Sequence, residues 1–223
     1  MSVNKLKILC LHGYTQNGIM YSKKTAVVRK HIEHLADLVY ITAPHHIAAA
    51  SFSTAAEREK AEKEPVSEEH AMYGWWFIPN YKPVQADGYL VGYKESVQYI
   101  KEIVKQQGPF DGILGFSQGA ALAALFTQVM ETEQTPFKFA IIVAGFKPTK
   151  QTATSMMLTK EDKVKTPSLH YIGDLDTMIL PETMSALVEA FEKPKIFRHT
   201  GGHYLPSTAA SRKVLLSFLE QFN

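Results

Sequence analysis

The sequence predicts an α/β fold: a mostly parallel central sheet of about six strands with helices on both faces. Two observations carry the prediction. Short runs rich in Ile, Leu and Val alternate with longer segments of helical pattern along the 223-residue chain. The runs close at Gly, Pro or polar turn residues, as strands in a covered parallel sheet do.

Taken in order, residues 7–11, 39–42, 112–114, 139–144, 168–172 and 196–198 read as strands. Residues 22–34, 88–107, 118–130, 182–192 and 208–222 read as helices. The last shows Val214, Leu215, Phe218 and Phe222 at three- and four-residue spacing, which gives it one apolar face.

Residues 45–87 break the alternation and are too long for an ordinary connection. They hold Ala48-Ala49-Ala50, a charged run over 57–69, and then Tyr73-Gly74-Trp75-Trp76-Phe77 with both tryptophans of the chain. Two readings stand side by side. One is a solvated helical insertion whose aromatics pack on the sheet edge; the other is a cap whose aromatic end lines an apolar substrate pocket. The length otherwise suits a single domain, with no internal repeat.

Composition narrows the function classes. Lys and Arg total 24 against 22 acids, for a formal charge of +2, so neither nucleic acid nor an anionic membrane is indicated as a partner. One cysteine, Cys10, excludes an intrachain disulfide and reads as a small buried residue. No stretch approaches the roughly 20 apolar residues of a membrane span, and the apolar run 8–11 is too short for a signal-peptide core. A soluble intracellular protein, cytoplasmic or also nuclear, is the expectation.

The chemistry centres on Gly115-Phe116-Ser117-Gln118-Gly119. A Gly-x-Ser-x-Gly match arises by chance in about one chain of this length in fifteen, so its flanks decide its meaning. Here an apolar strand precedes it and an Ala-rich helix follows. That is the order needed to hold a serine hydroxyl on the tip of a strained turn, with helix N–H groups and a positive dipole end beside it. Ser117 is therefore the candidate nucleophile of an α/β-hydrolase.

A serine hydroxyl needs a base, and histidine is the usual one at neutral pH. In this fold the order along the chain is Ser, acid, His. His203, after Gly201-Gly202 and before the last helix, fits the final slot, with His199 as the runner-up. The acid belongs on the Gly173-Asp174-Leu175-Asp176-Thr177 turn. Spacing leaves Asp174 and Asp176 both open, with Asp176 preferred because it lies farther past the strand. One oxyanion donor is the Gln118 N–H. A second is expected from the loop 11–18, where Gly13 permits a turn that aims the Tyr14 amide inward; Thr15 is the alternative.

These pieces resemble the fungal serine hydrolase family. The resemblance is carried by Leu11-His12-Gly13-Tyr14-Thr15-Gln16-Asn17-Gly18, by Gly74-Trp75-Trp76, by residues 108–120 with their Gly-Pro-Phe-Asp-Gly lead-in, by Asp176-Thr177, and by Gly201-Gly202-His203 with Pro206. It implies a triad on Ser117, Asp176 and His203, and it favours Asp176 over Asp174. It also implies esterase or thioesterase activity on acyl groups, some members releasing polyketide acyl chains from carrier proteins.

The expected function is hydrolysis of carboxylic esters or thioesters of short-to-medium acyl chains through an acyl-enzyme, with no cofactor and no metal. The expected partner is a small-molecule acyl ester or thioester, with an acyl-carrier protein as a further candidate. Trp75, Trp76, Phe77 and Phe116, together with Ile78 and Tyr81, are the expected pocket lining. No Gly-x-x-x-x-Gly-Lys-Ser/Thr, Gly-x-Gly-x-x-Gly or His-Glu-x-x-His pattern is present. The reading from another class is a hydrolase-fold sensor that binds a small ligand with little turnover; covalent labelling of Ser117 discriminates the two.

Overall fold

In the computed structural model, which describes residues 5–47, 67–77, 90–148 and 163–223, six parallel strands form one sheet in the order β2-β1-β5-β6-β7-β8. They are β1 (Leu6–Leu11), β2 (Ala36–Ile41), β5 (Gly112–Phe116), β6 (Phe139–Val143), β7 (Ser168–Gly173) and β8 (Pro194–His199). Two short strands, β3 (His45–His46) and β4 (Tyr73–Gly74), pair antiparallel beside the sheet.

The four central strands of the sheet are buried on both faces, and period-two alternation divides their side chains between two cores. Leu9, Leu11, Ile113 and Ile142 face one, with Ala120–Phe126 of helix α4 (Gln118–Thr132) and Ile100 of α3 (Tyr93–Gln107). Ile8, Cys10, Leu114, Ile141, Val143 and Tyr171 face the other. That side is covered by Val28 and Ile32 of α2 (Ala26–Ile32) and by Leu215 and Phe218 of α6 (Ala209–Leu219). The strands β5 and β6 are buried along their whole length, which is why they read as continuous apolar runs; in buried β7 the polar Ser168 and His170 bond each other.

Three helices differ from expectation. The helix expected over 88–107 starts only at Tyr93, after Gly92 with φ 91°. The segment 22–34 is not one helix: α1 (Gly18–Lys24) starts four residues earlier and gives way to α2 at Thr25. Asn17 caps α1 by accepting the Met20 N–H at 2.8 Å. The Thr25 hydroxyl donates to the Tyr21 carbonyl at 2.8 Å, and this local bond accompanies the bend. Helix α5 (Pro181–Val188) stops four residues short of the expected 192. A three-residue 3-10 turn, Glu220–Phe222, closes the chain after α6. Of the expected insertion over 45–87, residues 48–66 and 78–87 lie outside the described residues.

The strand order positions the site. From β1 the chain moves to β2 on one side, whereas β5 lies on the other side of β1 and leads on to β8. The loops leaving β1 and β5 therefore flank the crevice where the winding reverses, at the carboxyl ends of the strands.

Candidate active site

Ser117 stands between β5 and α4 with φ 54° and ψ −117°. A non-glycine residue there costs about 1–3 kcal/mol. The turn is held by the Ser117 N–H bond to Val143 O at 2.9 Å, and the Ser117 carbonyl accepts from Ala120 and Ala121, each at 3.0 Å. The glycines on either side follow from contact. A Cβ on Gly115 would strike the backbone of Gly119 and Ala120, and one on Gly119 would strike the carbonyls of Leu11 and His12. Strand, helix and the loop after β1 meet backbone to backbone at this point.

His203 reaches the serine. Its Nε2 lies 2.9 Å from Ser117 Oγ and its Nδ1 2.7 Å from Asp176 Oδ2. The Asp176 side chain is fully buried, and its Oδ1 accepts the N–H groups of Met178 and Ile179 at 2.9 and 3.1 Å. A carboxylate only accepts, so the hydrogen bond places a proton on His203 Nδ1 and leaves the Nε2 lone pair facing the hydroxyl. Asp174 turns the other way: its Oδ1 takes the Arg198 Nε–H at 2.8 Å, and the pair is exposed. His199 faces its own loop, its Nδ1 accepting the Gly201 N–H at 3.2 Å. The two Asp and two His alternatives are thus separated by where each side chain is held. The acid and base loops are also laced together, Asp174 N–H to His199 O at 2.8 Å and Leu175 N–H to Gly201 O at 3.0 Å.

On the other side of Ser117 runs the loop after β1. Buried His12 donates from Nδ1 to Gly13 O at 2.7 Å and accepts the Ala43 N–H on Nε2 at 2.9 Å. Burial pulls its pKa down to about 4, so the ring is neutral. Thr15 has φ 62°, and its N–H donates to Tyr73 O at 2.9 Å, so this amide is committed away from the serine. Gln118, as the first residue of α4, has an N–H with no acceptor inside the helix. Its carboxamide accepts the Trp75 N–H at 2.8 Å and donates to Trp76 O at 2.9 Å.

The expected pocket lining is corrected. Trp75 and Trp76 are 0% and 2% exposed and belong to the core, Trp75 donating from its indole to His12 O at 2.8 Å. Phe77 is exposed and packs on His45. Phe116 is buried, with its ring centroid 4.9 Å from that of His203, so it backs the imidazole. Ile78 and Tyr81 lie outside the described residues. The open apolar surface is elsewhere, on the loops that carry Asp176 and His203. Leu175, Met178, Leu180 and Tyr204 are 51–72% exposed there. Sequence reasoning missed them, although Met178-Ile179-Leu180 is an apolar run between Asp176-Thr177 and Pro181 that no helix or strand pattern accounts for.

Cys10 and His170 are buried titratable side chains of the sheet. Burial pushes the Cys10 thiol up, so it stays protonated. His170 sits within β7 against Ser168 Oγ at 3.0 Å, its pKa lowered by burial to about 3. Among the described residues no three His, Cys, Asp or Glu side chains gather as metal ligands would, and no helix is long and apolar enough to cross a membrane.

Comparison with known proteins gives three findings. The model of the family "Serine hydrolase (FSH1)" matches residues 1–215. "Esterase OVCA2" of Danio rerio is 36% identical over 234 residues, covering 100% of both chains. Among solved structures, the Bacillus cereus carboxylesterase superposes with a TM-score of 0.60 at 14% identity, covering 99% of this chain and 90% of that one. The type II thioesterase BorB from the borrelidin biosynthetic cluster does so with a TM-score of 0.58 at 12% identity, covering 98% and 91%. These two likenesses show an α/β-hydrolase fold.

Proposed function

Because the chain belongs to the serine hydrolase (FSH1) family, we propose that it is an esterase or thioesterase that cleaves short-to-medium acyl chains through an acyl-enzyme on Ser117. The observation that carries this reading is the hydrogen-bond chain from Ser117 Oγ through His203 to buried Asp176, at 2.9 and 2.7 Å.

In this mechanism the Ser117 oxygen attacks the carbonyl carbon while His203 Nε2 takes its proton. Asp176 stabilises the imidazolium and keeps its ring in place, itself fixed by the Met178 and Ile179 amides. The carbonyl electron pair moves onto oxygen, which is held by the N–H groups of Tyr14 and Gln118 at the positive end of α4. Collapse of the tetrahedral intermediate expels the alcohol or thiol, protonated by His203. Water then attacks the acyl-enzyme with His203 again as base, and the acid departs. The exposed apolar residues on the Asp176 and His203 loops favour an apolar acyl group over a charged one. The fold likeness to a type II thioesterase supports extending the proposal to thioesters, with an acyl-carrier protein as a proposed source of them.

A fluorophosphonate probe tests the nucleophile. The wild-type chain is expected to take up one equivalent on Ser117, and Ser117→Ala to lose both labelling and hydrolysis. Failure of the wild type to label, or full activity in Ser117→Ala, overturns the assignment. A panel of p-nitrophenyl esters of increasing acyl length beside acyl-CoA thioesters then fixes the substrate class, with the optimum expected at short-to-medium chains.

A further inference from the structure

Resting on the reading of Tyr14 and Gln118 as the oxyanion donors, we propose that residues 71–76 are a splint that sets the spacing between them, with the Gln118 carboxamide as its fastening and a positioning residue. The splint is bonded along the whole loop that carries Tyr14. Asn17 Nδ2 donates to Ala71 O at 2.8 Å. Tyr73 N–H donates to Gln16 O, and Thr15 N–H to Tyr73 O, each at 2.9 Å. The Trp75 indole N–H donates to His12 O at 2.8 Å. The Tyr14 ring lies against Gly74, where a Cβ would come within 2.7 Å of its Cε2.

The same segment is then fastened to the second donor residue. The Gln118 side chain accepts the Trp75 N–H at 2.8 Å and donates to Trp76 O at 2.9 Å. One planar group thus meets the donor of one residue and the acceptor of the next, which neither a carboxylate nor an aliphatic side chain of that length can do. Gln118, Trp75 and Trp76 are all buried, so an unbonded carboxamide here would be costly. Since the side chain and the backbone N–H belong to one residue, a shift of residues 71–76 turns the amide that faces the oxyanion. The two donors come from separate strands, β1 and β5, and the splint ties the loops that follow them.

The test uses the full chain as wild type, Gln118→Met, Trp75→Phe, their double variant and Ser117→Ala. Readouts are kcat and KM on p-nitrophenyl butyrate and the inhibition constant of an alkyl trifluoromethyl ketone. In that inhibitor Ser117 Oγ bonds to the ketone carbon, its proton passes to His203, and the carbonyl pair becomes the oxyanion. Gln118→Met is expected to lower kcat by about tenfold to a hundredfold with KM within about twofold, a loss typical of misplaced groups, and to weaken the ketone by the same factor. Because both tryptophans lie in the splint, its loosening also shifts the intrinsic emission to the red. Trp75→Phe, which removes the indole tie to His12 O together with part of the buried Trp75–His12 ring contact, is expected to weaken the ketone by about threefold, and the double variant to lose less than the product of the two single losses.

A ketone affinity within about twofold of wild type in Gln118→Met overturns the splint, as does a loss of kcat that the ketone does not share. Should Gln118→Met fail to fold, unchanged ketone affinity in Trp75→Phe overturns it equally. Wild-type hydrolysis by Ser117→Ala would instead remove the nucleophile on which the reading of the site rests.

Discussion

Replacing Asp176 by asparagine isolates what the carboxylate contributes, because the geometry predicts which way the new amide must face. Oδ1 already accepts two backbone N–H groups, from Met178 at 2.9 Å and Ile179 at 3.1 Å. An asparagine keeps those bonds only with its oxygen on that side, which turns its NH2 toward His203 Nδ1, 2.7 Å from the present Oδ2. A donor there forces Nδ1 to accept, so the imidazole proton moves to Nε2 and points at Ser117 Oγ. The base is then protonated at the atom that must take the proton. Triads locked in the wrong tautomer lose about 10⁴ in kcat, or about 5 kcal/mol of barrier at about 1.4 kcal/mol per decade. Asp174→Asn, two residues away, removes only an exposed pair with Arg198, worth about 0–1 kcal/mol, and should leave kcat within about twofold. Initial rates on p-nitrophenyl butyrate, with thermal unfolding as the check on folding, measure both. An Asp176→Asn enzyme within about tenfold of wild type, or an Asp174→Asn enzyme as impaired as Asp176→Asn, refutes the reasoning.

Two further predictions concern stability. Gly119→Ala drives a Cβ into the Leu11 and His12 carbonyls and should cost about 3 kcal/mol by urea unfolding; a loss under about 0.5 kcal/mol would contradict the backbone contact. Burial lowers the pKa of His12 to about 4 and of His170 to about 3, against about 6.5 unfolded. The unfolded chain therefore binds more protons between those values. The stability is fully present above pH 6.5 and falls by about 1.4 kcal/mol per histidine for each pH unit below it, until the folded pKa is reached. Urea midpoints at pH 7 and pH 5 check this, and equal midpoints would show that neither ring is held neutral.

The fold was legible because its signals are local. A strand buried on both faces favours apolar residues throughout, and Ile8–Leu11 and Phe139–Val143 are apolar. The turn at Ser117 was legible for the same reason. Gly115 and Gly119 are needed for contacts that a strand and the helix following it make whatever else the chain does. The bend at Thr25 was less so: the hydroxyl bond to Tyr21 O competes with a helical pattern that otherwise runs on.

What the sequence by itself determined is the parallel sheet, the serine on its elbow, and the order in which acid and base follow. The sequence ranked Asp176 over Asp174 and His203 over His199; the tertiary structure supplied the partners that hold each where it is. Asp174 and Asp176 sit in one turn, and Arg198, 24 residues beyond Asp174 on β8, takes the first while His203 takes the second. Thr15 loses its amide to Tyr73, 58 positions away in the numbering and adjacent in space. Trp75 and Trp76, apolar enough for a pocket wall, are sealed in the core by Gln118 and His12. In each case the direction of a side chain or an amide is set by a partner distant in sequence, and residue pattern records what a segment can bury but not what will stand opposite it.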